Sequence, residues 1–208
     1  GRGRGTGGRD LMMTGVRARR ADPQRGTISA ERLVIIGFMG AGKSTVGTML
    51  ADRLGWAFVD LDDEVAGRVG EPVDEIIRGR GLASFRRLES EAGREVMRRR
   101  RVVVAVGGGW PAQPGHMDLL GRGTLSVWLR VSAATALARI AASVNPRPLL
   151  EVADPLATAE SLLARRKQHY QRGDLRIDTE HRTPDEVVGA ILRRLTPCGG
   201  DREREETA

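Results

Sequence analysis

Cysteine, lysine and long apolar runs are all scarce in this sequence, and each scarcity closes off a class of protein. Cys198 is the single cysteine in 208 residues, so no intrachain disulfide and no cysteine metal cluster can form. A reducing compartment is the natural setting. The three histidines, His116, His169 and His181, are scattered and suggest no metal site. No apolar run approaches the roughly 18 residues of a membrane span, and the N-terminal residues lack the apolar stretch of a secretory signal. The expectation is a soluble, cytoplasmic protein of one ordinary domain, large enough to bury a real core.

Acidic residues are scarce only in one place. The net charge of +7 suggests nucleic acid until it is located: residues 1–30 hold seven arginines against Asp10 and Asp22, a net of +5. That leaves +2 for the remaining 178 residues, so the body is nearly balanced. A Gly/Arg-rich segment of this kind cannot bury enough apolar surface to fold alone. It reads either as a nucleic-acid-binding arm or as a solvated extension, and Met12 and Met13 each offer a later start. No aromatic residue interleaves the arginines to stack on bases, which favours the solvated extension. Nucleic acid is therefore not expected as a partner.

Of 34 basic residues only Lys43 and Lys167 are lysine, and Lys43 stands in the most informative stretch, "GFMGAGKST". Its spacing, Gly37-x-x-x-x-Gly42-Lys43-Ser44, is that of a phosphate-binding loop. Glycines at 37, 40 and 42 let the backbone curl so that N–H groups point at phosphates, and the following helix adds its positive N-terminal dipole. A compact ammonium fits among those N–H groups where a planar guanidinium would not. The stretch Gly40, Ala41, Gly42, Lys43, Ser44 and Thr45 is thus the nucleotide-binding candidate, with Ser44 placed to ligate Mg²⁺ and Thr45 near the α-phosphate. The motif requires a strand before it and a helix after it, and "RLVIIG" (32–37) and 43–54 supply both.

From there short apolar runs alternate with helical stretches. Strands are expected at 32–37, 57–62, 102–109, 124–129 and 175–179. Helices are expected at 43–54, 63–79, 82–99, 132–142, 155–170 and 183–195, the last with Thr183 as N-cap and Pro184 in its first turn. This alternation implies a five-stranded parallel sheet with helices on both faces, a three-layer α/β/α sandwich. The domain is expected to span 31–195, with tails at 1–30 and 196–208.

The sheet's C-terminal edge gathers further candidates. In "DLDDE", strand alternation would point Asp60 and Asp62 the same way, where two carboxylates can hold Mg²⁺ and take a proton from an attacking hydroxyl. Asp62 and Asp63 would alternatively serve as cap and first-turn acid of a helix at 63. Gly107, Gly108 and Gly109 allow close approach of a ligand to the backbone and leave N–H groups to donate. "RPLL" at 147–150 lies in a long connection of the kind that forms lids, from which Arg147 can bring charge to the departing phosphoryl group. The charges of "SFRRLESE" read by themselves as a solvated helix face.

Together "GFMGAGKST", "FVDLDDEV", "FRRLE", "GGG" and "RPLL", in that order from about Leu33 to Leu195, resemble the shikimate kinase family. The resemblance implies a nucleoside-monophosphate-kinase-like P-loop fold with a mobile lid at about 143–155. It implies transfer of phosphate from ATP to the 3-hydroxyl of shikimate, giving 3-phosphoshikimate and ADP, with Mg²⁺, in aromatic amino-acid (chorismate) biosynthesis. By the same resemblance Lys43 and Ser44 hold phosphates and metal, and Asp60 faces the metal through water. Asp62 binds a substrate hydroxyl and acts as base. Arg86 and Arg166 pair with the substrate carboxylate, Gly107–Gly109 line it, and Phe85 lines the ring. Arg147 is the lid arginine, and Arg139 and Pro184 sandwich adenine. "ARRKQHY" departs from the family's usual Arg-x-Pro-Leu-Tyr, which makes Arg165 a rival to Arg166. Trp110 stands where a small residue is usual and either narrows the substrate pocket or packs outward. A kinase for another carboxylated polyol such as gluconate, or a non-catalytic ATP-binding regulator, are the alternatives. A monomer is expected.

Overall fold

The computed structural model describes residues 28–142 and 153–197. Its centre is a five-stranded parallel sheet of β2 (Arg32–Gly37), β3 (Ala57–Asp60), β4 (Val102–Ala105), β5 (Thr124–Arg130) and β6 (Leu175–Asp178), in the order β3-β4-β2-β5-β6. Covered on both faces, the inner strands have no solvent side to alternate with. All of β2 and β4 is buried, and so is β5 up to Leu129, whereas the edge strands β3 and β6 are half-exposed. Even Arg32 in β2 is buried, with its guanidinium donating to the carbonyls of Met97 and Arg99.

Among the described residues six α-helices flank the strands: α1 (Lys43–Leu54), α2 (Leu61–Val69), α3 (Val73–Val96), α4 (Ala133–Ala141), α5 (Pro155–Tyr170) and α6 (Pro184–Leu192). The expected sandwich is present, and α1 packs on β3, β4 and α6. Helix α6 opens as expected, on a capping box in which Thr183 and Glu186 satisfy each other's backbone N–H groups.

Three boundaries differ from the sequence reading. The strand read as 57–62 stops at Asp60, because the Asp60 carboxylate accepts from Asp62 N–H and starts α2 at Leu61. Asp62, Asp63 and Glu64 then occupy the first turn, where negative charge complements the helix dipole. Asp60, rather than Asp62 or Asp63, is therefore the cap. The helix read as 63–79 is interrupted at 70–72, while the break expected between 79 and 82 is present at Gly81, whose φ of 79° and ψ of 157° are non-helical and kink α3 into two stretches. Strand β4 ends at Ala105, so the three glycines leave the sheet and turn. In addition, β1 (Ile28–Ala30), at positions read as tail, and β7 (Leu195–Pro197), at the expected end of the last helix and the start of the expected C-terminal tail, pair in parallel as a separate ribbon, so α6 stops at Leu192 rather than 195.

Candidate active site

The phosphate-binding loop runs from the end of β2 into α1. It is squeezed from both sides: a Cβ on Gly37 would lie 2.5 Å from the Leu129 carbonyl oxygen, and one on Gly40 would lie 2.5 Å from that of Ala136. At Gly42, the N-cap of α1, nothing stands within 4 Å of the same position. The loop is thus rigid at its root and open where the helix begins, which is where an anion meets both N–H groups and the dipole. The Lys43 ammonium donates to the Phe38 carbonyl across the loop at 3.0 Å. Ser44 and Thr45 face solvent, and Ser44 Oγ donates to Asp60 Oδ2 at 2.6 Å.

A cleft of about 470 Å³ extends from the loop. Gly40 to Val46 form its floor, Arg139 and Ile140 of α4 one wall, and Pro184 and Val187 of α6 another, with Thr179 and Arg182 between. Arg139 is held in place by the Thr179 carbonyl at 2.6 Å, Thr179 Oγ1 at 3.2 Å and the Gly40 carbonyl at 3.4 Å. Glu180 fastens the Thr179–Arg182 segment to the start of α4: it accepts from Ser132 N–H at 2.8 Å, from Ser132 Oγ at 2.7 Å and from the Thr135 hydroxyl. The Ser132 and Thr135 hydroxyls pull its carboxyl down to about 2.

On the other side of the loop four separate segments meet at Gly107–Gly109. A Cβ on Gly107 would lie 2.5 Å from Glu89 Oε1 and 3.0 Å from Asp62 Oδ1. One on Gly108 would lie 3.5 Å from an Arg166 guanidinium nitrogen, 3.5 Å from Met39 N and 3.4 Å from the Gly37 carbonyl oxygen. One on Gly109 would run into the Arg86 guanidinium. Glycine is needed at 107 and 109, where side chains from α2 and α3 already fill the space that a Cβ would take, whereas at 108 a Cβ would meet Arg166 of α5 and the loop backbone only at ordinary contact distance. The Met39 and Gly37 contacts place this cluster directly against the phosphate loop. Tyr170, fully buried, donates to the Gly108 carbonyl at 2.6 Å, and burial pushes its phenol up to about 12.

The arginine in that cluster is oriented before anything binds. Glu89 is fully buried, and its Oε2 accepts from an Arg86 guanidinium nitrogen at 2.5 Å. Burial raises the Glu89 carboxyl, with Asp62 adding to the rise, while Arg86 and Arg166 oppose it. The second Arg86 nitrogen is left at Gly109. Phe85 is buried beneath its neighbour, with the Arg86 guanidinium 5.4 Å from its ring centre.

The sequence profile described as Shikimate kinase matches residues 39–196. The chain belongs to the shikimate kinase family. It is 42% identical over 163 residues to the shikimate kinase of Moorella thermoacetica, covering 78% of this chain and 93% of that one. It is 38% identical over 180 residues to that of Synechococcus sp. (strain CC9605), covering 86% and 90%. Among solved structures, shikimate kinase from Acinetobacter baumannii in complex with shikimate superposes with a TM-score of 0.75 at 31% identity, over 79% of this chain and 92% of the other. The activity is that of the family, ATP-dependent phosphorylation of shikimate in aromatic amino-acid biosynthesis.

Against the expectations for a shikimate kinase site, the structure brings Lys43, Ser44, Asp60, Asp62, Arg86, Gly107–Gly109 and Arg166 together, with Arg139 and Pro184 on the walls of the cleft beside the loop. It turns Arg166 toward Gly108 and leaves its rival Arg165 exposed. Asp60 and Asp62 do not point the same way, as strand alternation would have it, because the helix begins between them. Asp60 faces Ser44 and Asp62 faces Gly107. Trp110 neither narrows the pocket nor packs outward: it is fully buried, against Gly93 of α3 and the His116 ring. Arg147 and residues 143–152 of the expected lid at about 143–155 lie outside the described residues. The sequence reading missed Glu89, Tyr170, Thr179 and Arg182. The available signal for Glu89 was its position three residues after Arg86, one helical turn on. No helix among the described residues is long and apolar enough to cross a membrane.

Proposed function

We propose that this chain phosphorylates the 3-hydroxyl of shikimate with Asp62 as the base, Arg86 and Arg166 as the carboxylate clamp, and the loop Gly40–Thr45 as the phosphate cradle. The observation that carries the reading is the convergence of Asp62, Arg86 and Arg166 on three glycines that abut the phosphate loop at Met39 and Gly37. An acceptor hydroxyl beside Asp62 then lies next to the place where the γ-phosphate must sit. In-line transfer requires that proximity, and the enzyme's work is chiefly positioning and charge compensation.

In this reading ATP lies along the cleft, its phosphates over the Gly42 end of α1 and its base between Arg139 and Pro184. Flat stacking on an arginine and a proline discriminates weakly among bases. Lys43 exchanges the Phe38 carbonyl for the β- and γ-phosphates. The Ser44 hydroxyl and the Asp60 carboxylate, 2.6 Å apart beside the loop, are hard oxygen donors that fit Mg²⁺, directly or through water. When bound there, Mg²⁺ would supply positive charge to offset the charge that develops as the phosphoryl group leaves. Asp62 takes the hydroxyl proton as the new P–O bond forms. Arg86, held on one side by Glu89, offers its remaining N–H groups to the carboxylate, and Arg166 closes on it from α5; paired guanidiniums fix orientation as well as affinity. Arg147 carries its expected role at the leaving phosphate on the family resemblance alone.

The working unit is read as a cytoplasmic monomer with a domain at 31–195. A coupled ADP-release assay with ATP and Mg²⁺ tests the substrate, with shikimate and gluconate run in parallel. Release that depends on shikimate is expected, and ³¹P–¹H coupling in the product should locate the phosphate at the 3-position. Release with gluconate alone would overturn the acceptor assignment and leave the nucleotide half standing.

A further inference from the structure

Behind the acceptor half, three polar contacts run in line from Trp110 through His116 and Ser90 to Arg86. His116 is buried, its ring tilted against the Trp110 indole with centroids 4.6 Å apart. Its Nδ1 lies 3.1 Å from the Trp110 carbonyl oxygen and its Nε2 lies 2.7 Å from Ser90 Oγ. Ser90 Oγ is in turn 2.8 Å from the Arg86 carbonyl oxygen. Trp110 follows Gly109 directly, so the line joins the end of the triple-glycine turn to the helix turn that carries Arg86.

The hydrogens in this line can be counted. A carbonyl oxygen only accepts, so Nδ1 must carry a hydrogen toward Trp110. Ser90 has one hydroxyl hydrogen and two neighbours that can take it. If the imidazole is neutral, Nε2 accepts that hydrogen, and the Ser90–Arg86 contact is left without one. If the ring is an imidazolium, Nε2–H donates to Ser90 Oγ and the hydroxyl turns to the Arg86 carbonyl. All three contacts then hold a hydrogen, so the arrangement is fully satisfied only with the ring charged.

Two influences oppose that charge. Burial is the larger, and the cations Arg94 and Arg86 on α3 add to it, although the Trp110 carbonyl pulls the other way; together they hold His116 below the usual histidine range. The other charged groups around it are engaged. Glu89 on α3 pairs with Arg86, and Asp118 on the same turn as His116 pairs with Arg172. On α5, Arg166 and Tyr170 both stand at Gly108.

We propose that His116 and Ser90 are positioning residues for the acceptor site, and that seating the shikimate carboxylate on Arg86 is coupled to proton uptake at His116. The proposal rests on Arg86 being the carboxylate's partner. A carboxylate there offsets the nearby positive charge that works against the imidazolium. Ser90 then swings its hydroxyl onto the Arg86 carbonyl and firms the turn from which the guanidinium extends. By reciprocity, shikimate binds more tightly as pH falls through the titration of His116, while ATP, held by other elements, is not coupled in this way.

The test is an NMR titration of the histidine ring protons of the full chain, from about pH 5 to about pH 8, with and without saturating shikimate. The His116 midpoint is expected to rise by about half a pH unit or more, a threefold change in proton affinity, while His169 and His181 stay put. In steady-state assays, the KM for shikimate should fall about threefold on acidification through that window, and His116→Gln should abolish the fall without altering the pH profile of KM for ATP. An unmoved His116 midpoint under bound shikimate, or a His116→Gln enzyme with the wild-type pH profile for shikimate, overturns the coupling. If His116→Gln does not fold, the wild-type titration still decides, and Ser90→Ala should shrink the shikimate-induced shift. Arg86→Ala separates the two levels. A strong rise in KM in that variant, beside a wild-type His116 midpoint that shikimate does not move, removes the coupling alone, whereas an unchanged KM removes the carboxylate assignment on which it stands.

Discussion

The two halves of the proposed site, one for the nucleotide and one for the acceptor, are built on opposite plans. The nucleotide half is mostly one contiguous loop, open to solvent at Ser44 and Thr45, with an anion site made of backbone and helix dipole. The acceptor half is assembled from Asp62, Arg86 with Glu89, Gly107–Gly109, and Arg166 with Tyr170, on four segments far apart in sequence and in places wholly buried. A backbone cradle tolerates variety in what surrounds it. A cluster of charges pre-paired in a tight space does not, since each charge depends on its neighbour for compensation. Substrate choice should therefore be the fragile property of this enzyme and nucleotide use the robust one.

Asp62→Asn should break the acceptor half most completely. Turnover is expected to fall by about 10³-fold while the Kd for ATP stays within about twofold, read by steady-state kinetics and nucleotide titration. Normal turnover would take Asp62 out of the mechanism, and a parallel loss of ATP binding would show that the halves are not separable. Next in size, Arg86→Ala should cost about 2 kcal/mol or more of carboxylate binding, a rise of about 30-fold in KM for shikimate with KM for ATP little changed. Gly107→Ala probes the packing: its Cβ would meet Glu89 Oε1 at 2.5 Å and Asp62 Oδ1 at 3.0 Å. A loss of about 1 kcal/mol or more in urea unfolding is expected, together with weaker shikimate binding.

The smallest effect belongs to the nucleotide half. The Glu180 carboxyl is held at about 2 against an ordinary 4.5, so its bonds to Ser132 and Thr135 add stability above pH 4.5, and that stability is lost as pH falls toward 2. Because Glu180 lies near the surface, solvent weakens the contribution. Glu180→Gln should flatten this limb of the urea midpoint against pH and leave KM for shikimate untouched. A steep limb surviving in the variant would assign it to other carboxylates.

The same contrast explains which parts of the molecule were legible in the sequence. The glycine spacing at 37–42, the lone lysine, the apolar runs of β2, β4 and β5 and the capping signal at Thr183 all act through local backbone geometry or short periodicity, which a linear reading can follow. The five-stranded sandwich and the phosphate loop come from these. Where strand β3 ends was not legible, because a single side-chain bond from Asp60 to Asp62 N–H decides it. Nor was the choice of Arg166 over Arg165, the pairing of Glu89 with Arg86 or the inward turn of Trp110. Each of these depends on how far apart two packed elements stand, and neither element carries that distance in its own sequence. The sequence by itself therefore determined the fold and the anion cradle. Only the tertiary structure decided which charges face each other across the acceptor site, because Coulomb and hydrogen-bond energies depend on separations that packing alone sets.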